Sequence, residues 1–192
     1  MARHKEFDRD KALGAAIGIF SQHGYEGSST DALLTAMKIS RQSMYDTFGD
    51  KRSLYLEALK RYNTDSVSRI VDDMKGNGSA LDALEAALVA FASRPAAEAS
   101  LGCMGVSAVC EFGRTDNDVS TLTDSASATL GRAITRLIED GLASGEISAE
   151  IDPDAAVHFL GATLSGMKVS ARNGATPDIL RTIARLAIRS LR

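Results

Sequence analysis

Cysteine is scarce in this chain: only Cys103 and Cys110 occur. Two thiols make no disulfide framework and suit a reducing, cytoplasmic setting. Proline occurs three times, and β-branched runs are few, which points to an all-α architecture. The three histidines, His4, His23 and His158, are too scattered to suggest a metal site, and no cofactor motif is read. No apolar run is long enough to span a bilayer, so no membrane partner is expected. The opening MARHKEFDRD is charged throughout and has no apolar core, so it does not read as a secretory signal. Net charge is −3. That excludes a uniformly basic nucleic-acid coat but leaves room for a local patch.

The 192 residues are 44% hydrophobic and 24% charged, ordinary values for a globular protein with a sizeable core. Arg3, Lys5, Arg9 and Lys11 stud the first turns. Leu13, Ala16, Ile17 and Phe20 then recur on one helical face, and His23-Gly24 reads as the C-cap. One of Ser28, Ser29 and Thr30 can cap a second helix, Ser40 a third from Arg41 to Thr47, and Asp50 a fourth over about 51–74. GNGSA at 76–80 marks a break, with Ser79 as the next cap. Helices follow over 81–93, ended by Arg94-Pro95, then over 103–112 and 119–143. Pro153 and Pro177 then open helices running to about 171 and 191. The domains so delimited are 1–52, with the fourth helix as connector, and 79–192.

Residues 28–50, SSTDALLTAMKISRQSMYDTFGD, carry the most information. They read as two short helices joined by a tight turn. With Met44 pointing inward, Phe48 falls on the same side and Gln42 and Asp46 fall opposite, flanked by Ser43 and Tyr45. One face packs on Leu33, Leu34 and Leu54; the other offers donors and acceptors. Gln42 can pair with an adenine edge, and Arg41 with guanine or phosphate. Ser29, Thr30, Tyr45 and Lys51 suit phosphate oxygens. The same spacing also fits an amphipathic helix pair with an ordinary solvated face.

The residue types favour the first reading. The run from Ile39 to Lys51 resembles the recognition-helix signature of the TetR family of bacterial repressors, and Phe20 with His23-Gly24-Tyr25 resembles that family's first-helix ending. The likeness covers about residues 7–60. It implies an N-terminal three-helix DNA-binding domain with a helix-turn-helix, and a C-terminal helical domain for ligand binding and dimerisation. It implies a homodimer on a double-stranded DNA operator, released by a small-molecule effector. Two positions depart from the family pattern. Lys38 stands where glycine is usual, and Asp46 puts a carboxylate on the reading face, where it either accepts from cytosine or bonds Arg41 or Gln42.

Other features are less specific. Cys103 and Cys110 lie seven residues apart, about 10.5 Å along a helix, too far for a disulfide. Either could still be a lone redox-sensing thiol or simply a small packed residue. His158 fits a pocket wall or a polar spot beside a dimer seam. For helices 153–171 and 177–191, rich in small and aliphatic residues, the resemblance implies a dimer interface built as a four-helix bundle; the alternative is that they only close the monomer core. The ligand pocket is placed at Met104, Ser107, Glu111, Thr163 and Met167. An enzyme would need a nucleophile with a base or a metal cluster, and no such constellation is visible. A helical interaction module without DNA binding is the remaining alternative.

Overall fold

The computed structural model describes residues 7–76, 78–94 and 102–192. Its elements are all helical: α1 (Arg9–His23), α2 (Thr30–Met37), α3 (Arg41–Phe48), α4 (Lys51–Asp73), α5 (Ala80–Ala92), α6 (Met104–Phe112), α7 (Asn117–Ser144), α8 (Pro153–Arg172) and α9 (Pro177–Arg189). Arg3, Lys5, Pro95 and Leu101 lie outside the described residues. The expected all-α class and most of the helix ends hold, because the caps are where the residue types put them. Ser29, Ser40, Ser79, Asp152 and Thr176 each accept from a backbone N–H in the first turn of their helix. α7 starts two residues before the expected Val119, since Asp116 takes the N–H groups of Asp118 and Val119 at 3.1 Å.

The helices pack as two compact units, drawn differently from the domains expected along the chain. The first comprises residues 1–64 and 103–123; the second comprises 65–102 and 124–192. α6 and the first turns of α7 therefore belong with the N-terminal helices.

The first unit is built around Leu13, Ala16, Phe20, Leu33, Met44, Leu54, Tyr55, Leu59, Met104 and Ala108, all buried. Tyr55 anchors an aromatic cluster, with Phe20, Tyr25 and Phe112 centroids 5.0, 5.0 and 5.7 Å away. Tilted and edge-on pairs at such separations add to the area term. Burial pushes the Tyr55 phenol pKa up.

The second unit is aliphatic. α9 packs on α5 and α8, burying Leu81, Leu84, Leu88, Ile138, Leu160, Leu164, Met167, Leu180 and Ile188. Gly141 lets two segments approach α7: a Cβ there would stand 2.7 Å from Ile147 Cδ1 and 3.4 Å from Ala80 Cβ. α8 and α9 each keep a second face. Phe159, Val169, Ile179 and Leu186 remain 43–54% exposed while their neighbours fill the core. Ala156, Leu160, Leu164, Leu180 and Ala187, expected at a dimer interface, are buried within the unit itself.

Candidate nucleic-acid interface

The α2–α3 turn is set by Lys38, which adopts φ 55°, ψ 42°, the left-handed conformation. Its N–H bonds Thr35 O at 3.3 Å and the following Ile39 N–H bonds Leu34 O at 3.3 Å, so the last carbonyls of α2 are satisfied. Lysine makes the turn that glycine would make, at the steric cost of its Cβ.

Ser40 then caps α3, its Oγ accepting from Ser43 N at 3.1 Å and lying 2.9 Å from Ser43 Oγ. Met44 and Phe48 are buried, and Gln42, Tyr45 and Asp46 are exposed, as the helical spacing requires. Tyr45 is 49% exposed, open for its hydroxyl to donate outward.

Two carboxylates organise the polar face. Gln42 Nε2 donates to Asp46 Oδ1 at 2.8 Å. Arg41 Nη2 donates to Asp31 Oδ1, one helix back, at 2.7 Å. Of the roles open to Asp46 in the sequence, the structure shows the bond to Gln42; Arg41 goes elsewhere. Ser29 Oγ accepts from Ala32 N at 3.1 Å, which leaves its O–H able to donate to a phosphate oxygen. Thr30 is the first residue of α2. Lys51 starts α4, with its ammonium 4.3 Å from the Tyr25 ring centroid, a cation–π contact that holds the side chain down.

A second set of contacts braces the reader, and sequence reasoning did not find it. Arg52 on α4 forms a fork to Asp116, 2.6 and 3.1 Å, and reaches Asp118 at 2.8 Å. The Arg52 hydrogen bonds, helped by the Val119 N–H, hold the Asp116 carboxyl at about 2, below its ordinary 3.8. The cap of α7 and the clamp on α4 are thus one carboxylate. Glu111 on α6 accepts from Tyr25 N at 2.8 Å. Gly24 beside it has φ 71°, and a Cβ there would overlap the Glu111 carboxylate, so both backbone and space call for glycine. Asp116-Asn117-Asp118-Val119 could have been read as a cap. Arg52 gave no signal, because its partners lie 64 and 66 residues away.

The five residues expected to line one pocket divide between the units. Met104, Ser107 and Glu111 are in the first, where Met104 is buried in the core and Glu111 faces Tyr25. Thr163 and Met167 are in the second, where Met167 is fully buried. A cavity of about 20 Å³ in the second unit is lined by Ile70, Met74, Leu84, Leu88, Ile134, Leu160 and neighbouring apolar side chains. Cys103 is buried and Cys110 exposed, and neither is in a disulfide. His158 is exposed on α8. Among the described residues no group of three His, Cys, Asp or Glu could hold a metal ion, and no helix is long and apolar enough to cross a membrane.

A capped helix, polar outward and held one tight turn from its predecessor, defines the helix-turn-helix class of DNA readers. Comparison with known proteins gives the family. Residues 12–58 match the bacterial regulatory proteins of the tetR family, and residues 79–187 match the tetracyclin repressor-like C-terminal domain. The transcriptional repressor ComR of Escherichia coli (strain K12) is 30% identical over 192 residues, covering 97% of this chain and 90% of ComR. The uncharacterized regulator YezE of Bacillus subtilis (strain 168) is 42% identical over 84 residues, 44% of this chain and 43% of YezE. Among solved structures, the TetR-family regulator CifR, as a cysteine mutant complexed with 26 bp double-strand operator DNA, superposes with a TM-score of 0.84 at 28% identity, covering 99% of this chain and 100% of CifR. The chain belongs to the TetR family of transcriptional regulators.

Proposed function

We propose that this protein is a homodimeric repressor that binds double-stranded operator DNA in the cytoplasm and leaves it when a small molecule occupies the second unit. The observation that carries the reading is the exposed polar face of α3 on a buried backing of Met44 and Phe48. Gln42 and Arg41 are the groups offered to base edges. Ser29, Thr30, Ser43, Tyr45 and Lys51 are the groups offered to phosphates. Binding, with no chemical turnover, is the activity proposed.

Two supports bear on assembly and release. The apolar residues left exposed on α8 and α9, Phe159, Ile179 and Leu186, supply a surface for a second copy. A reader of this size needs two half-sites about 34–36 Å apart. The second unit's cavity is lined by apolar side chains, so the part of an effector that enters it would be apolar.

Duplex binding measured against salt tests the reading. Log affinity should fall steeply and linearly with log salt as phosphate contacts release counterions. Tyr45→Phe and Lys51→Ala should weaken binding about equally on all sequences. A slope near zero would leave only a helical interaction module.

A further inference from the structure

We infer that Asp46 is a specificity-determining residue, acting through Gln42: by holding one amide hydrogen it makes Gln42 a reader of adenine in preference to guanine. This rests on α3 being the DNA reader. A glutamine amide has two N–H donors on nitrogen and one acceptor oxygen. Guanine presents two acceptors, N7 and O6, in the major groove, whereas adenine presents one acceptor, N7, and one donor, N6–H. An unrestrained amide can turn either its two hydrogens or its mixed edge to the base, so it accommodates both purines.

Here Gln42 Nε2 spends one hydrogen on Asp46 Oδ1 at 2.8 Å. One hydrogen and Oε1 remain. That pair matches the N7 and N6–H of adenine and falls one donor short for guanine. The bond also fixes which end of the amide is nitrogen, since an oxygen turned toward a carboxylate would be repelled. The two residues are one helical turn apart within α3, so the contact runs along the helix and does not need to break when its face enters a groove. Arg41, the other strong donor on this face, pairs with Asp31 and not with Asp46, which leaves Asp46 to the amide.

The charge of Asp46 gives the proposal a signature of its own. A carboxylate on a DNA-facing surface is repelled by phosphates. Its removal should therefore raise affinity for duplexes in general while lowering discrimination. Loss of a merely structural residue would lower both.

The test uses the full chain. A preferred duplex is selected from a randomised pool, and affinities are then measured at fixed salt for single base-pair variants of it. The parent protein should show one position where Gln42→Ala abolishes a preference of about tenfold for adenine over guanine. At that position Asp46→Ala should bring the ratio to within about twofold while binding non-specific duplexes several-fold more tightly, whereas Asp46→Asn, whose Oδ1 can still accept from Gln42, should bind more tightly but keep much of the preference. Asp46→Ala should change nothing further in a Gln42→Ala background. Both side chains are exposed, so the variants should fold, which a thermal melt checks. An unchanged adenine-to-guanine ratio in Asp46→Ala would overturn the proposal. So would a preference lost at a different, cytosine-bearing position, which would make Asp46 itself the base contact. A parent protein that binds duplexes without any sequence preference would overturn the DNA-reading function together with it.

Discussion

The two compact units are held by different means. The first joins its helices with an aromatic cluster around Tyr55 and with charged groups that reach across long stretches of sequence. Arg52 pairs with Asp116 and Asp118, Arg9 with Glu57 at 2.7 Å, and Glu111 takes the Tyr25 N–H. The second rests largely on interlocked Leu, Ile and Ala, with Glu146 accepting from Leu81 N at 3.2 Å and Arg185 lying 3.9 Å from Glu85. Directional contacts fix a register, which is what a base reader requires. Aliphatic packing is non-directional and tolerates rearrangement around an incoming apolar molecule. The unit that must keep one geometry thus carries the aromatic cluster and the Arg52 fork, and the unit proposed to respond carries the apolar cavity.

Truncating each core separates the two most sharply. Leu33→Ala and Leu88→Ala should each cost about 2–5 kcal/mol in denaturant unfolding. Only the first should also abolish duplex binding at temperatures where most of the protein is still folded. Equal loss of binding in both would mean that the reader does not keep its own geometry.

The Asp116 clamp is next. Its carboxyl is depressed to about 2, so the stability it contributes is complete above its unfolded value near 3.8 and is lost as pH falls from there toward 2. Asp116→Asn should lower stability at neutral pH and flatten the acid limb of the unfolding profile. An unchanged acid limb would show that the clamp adds nothing.

Lys38→Gly should move in the opposite direction, stabilising the first unit by about 1 kcal/mol by relieving a left-handed lysine. A higher melting temperature checks it. The smallest effect belongs to the second unit: Arg185→Ala should change stability by about 0.5 kcal/mol or less, as exposed ion pairs do.

Much of the first unit was legible in the sequence because its determinants are local. Ser29, Ser40 and Asp50 are caps that work within three residues, and Met44 and Phe48 are one turn apart, so helical geometry alone put them inside. The placement of Gln42 and Asp46 outside followed from the same rule, although their mutual bond was only one of several roles open to Asp46. Arg52, Glu111 and Asp31 were not legible as braces, because each acts on a partner brought near by folding and a charged residue on a helix carries no address. Met104 and Met167, both named for the expected pocket, lie in different cores for a related reason. Met104 and Met167 are apolar in sequence, and apolar residues do not announce which core they join. Nor did the helix spacing of 103–112 say that α6 would pack with residues far upstream.

That placement of α6 bears on how such a regulator can be recombined. A chimaera that joins residues 1–64 to a foreign sensor would carry the recognition helix but leave behind Met104, Ala108, Phe112 and Val119, which complete its core, and Asp116 and Glu111, which fasten it. The transplantable part is discontinuous, and a working graft has to bring residues 103–123 along with the helix-turn-helix.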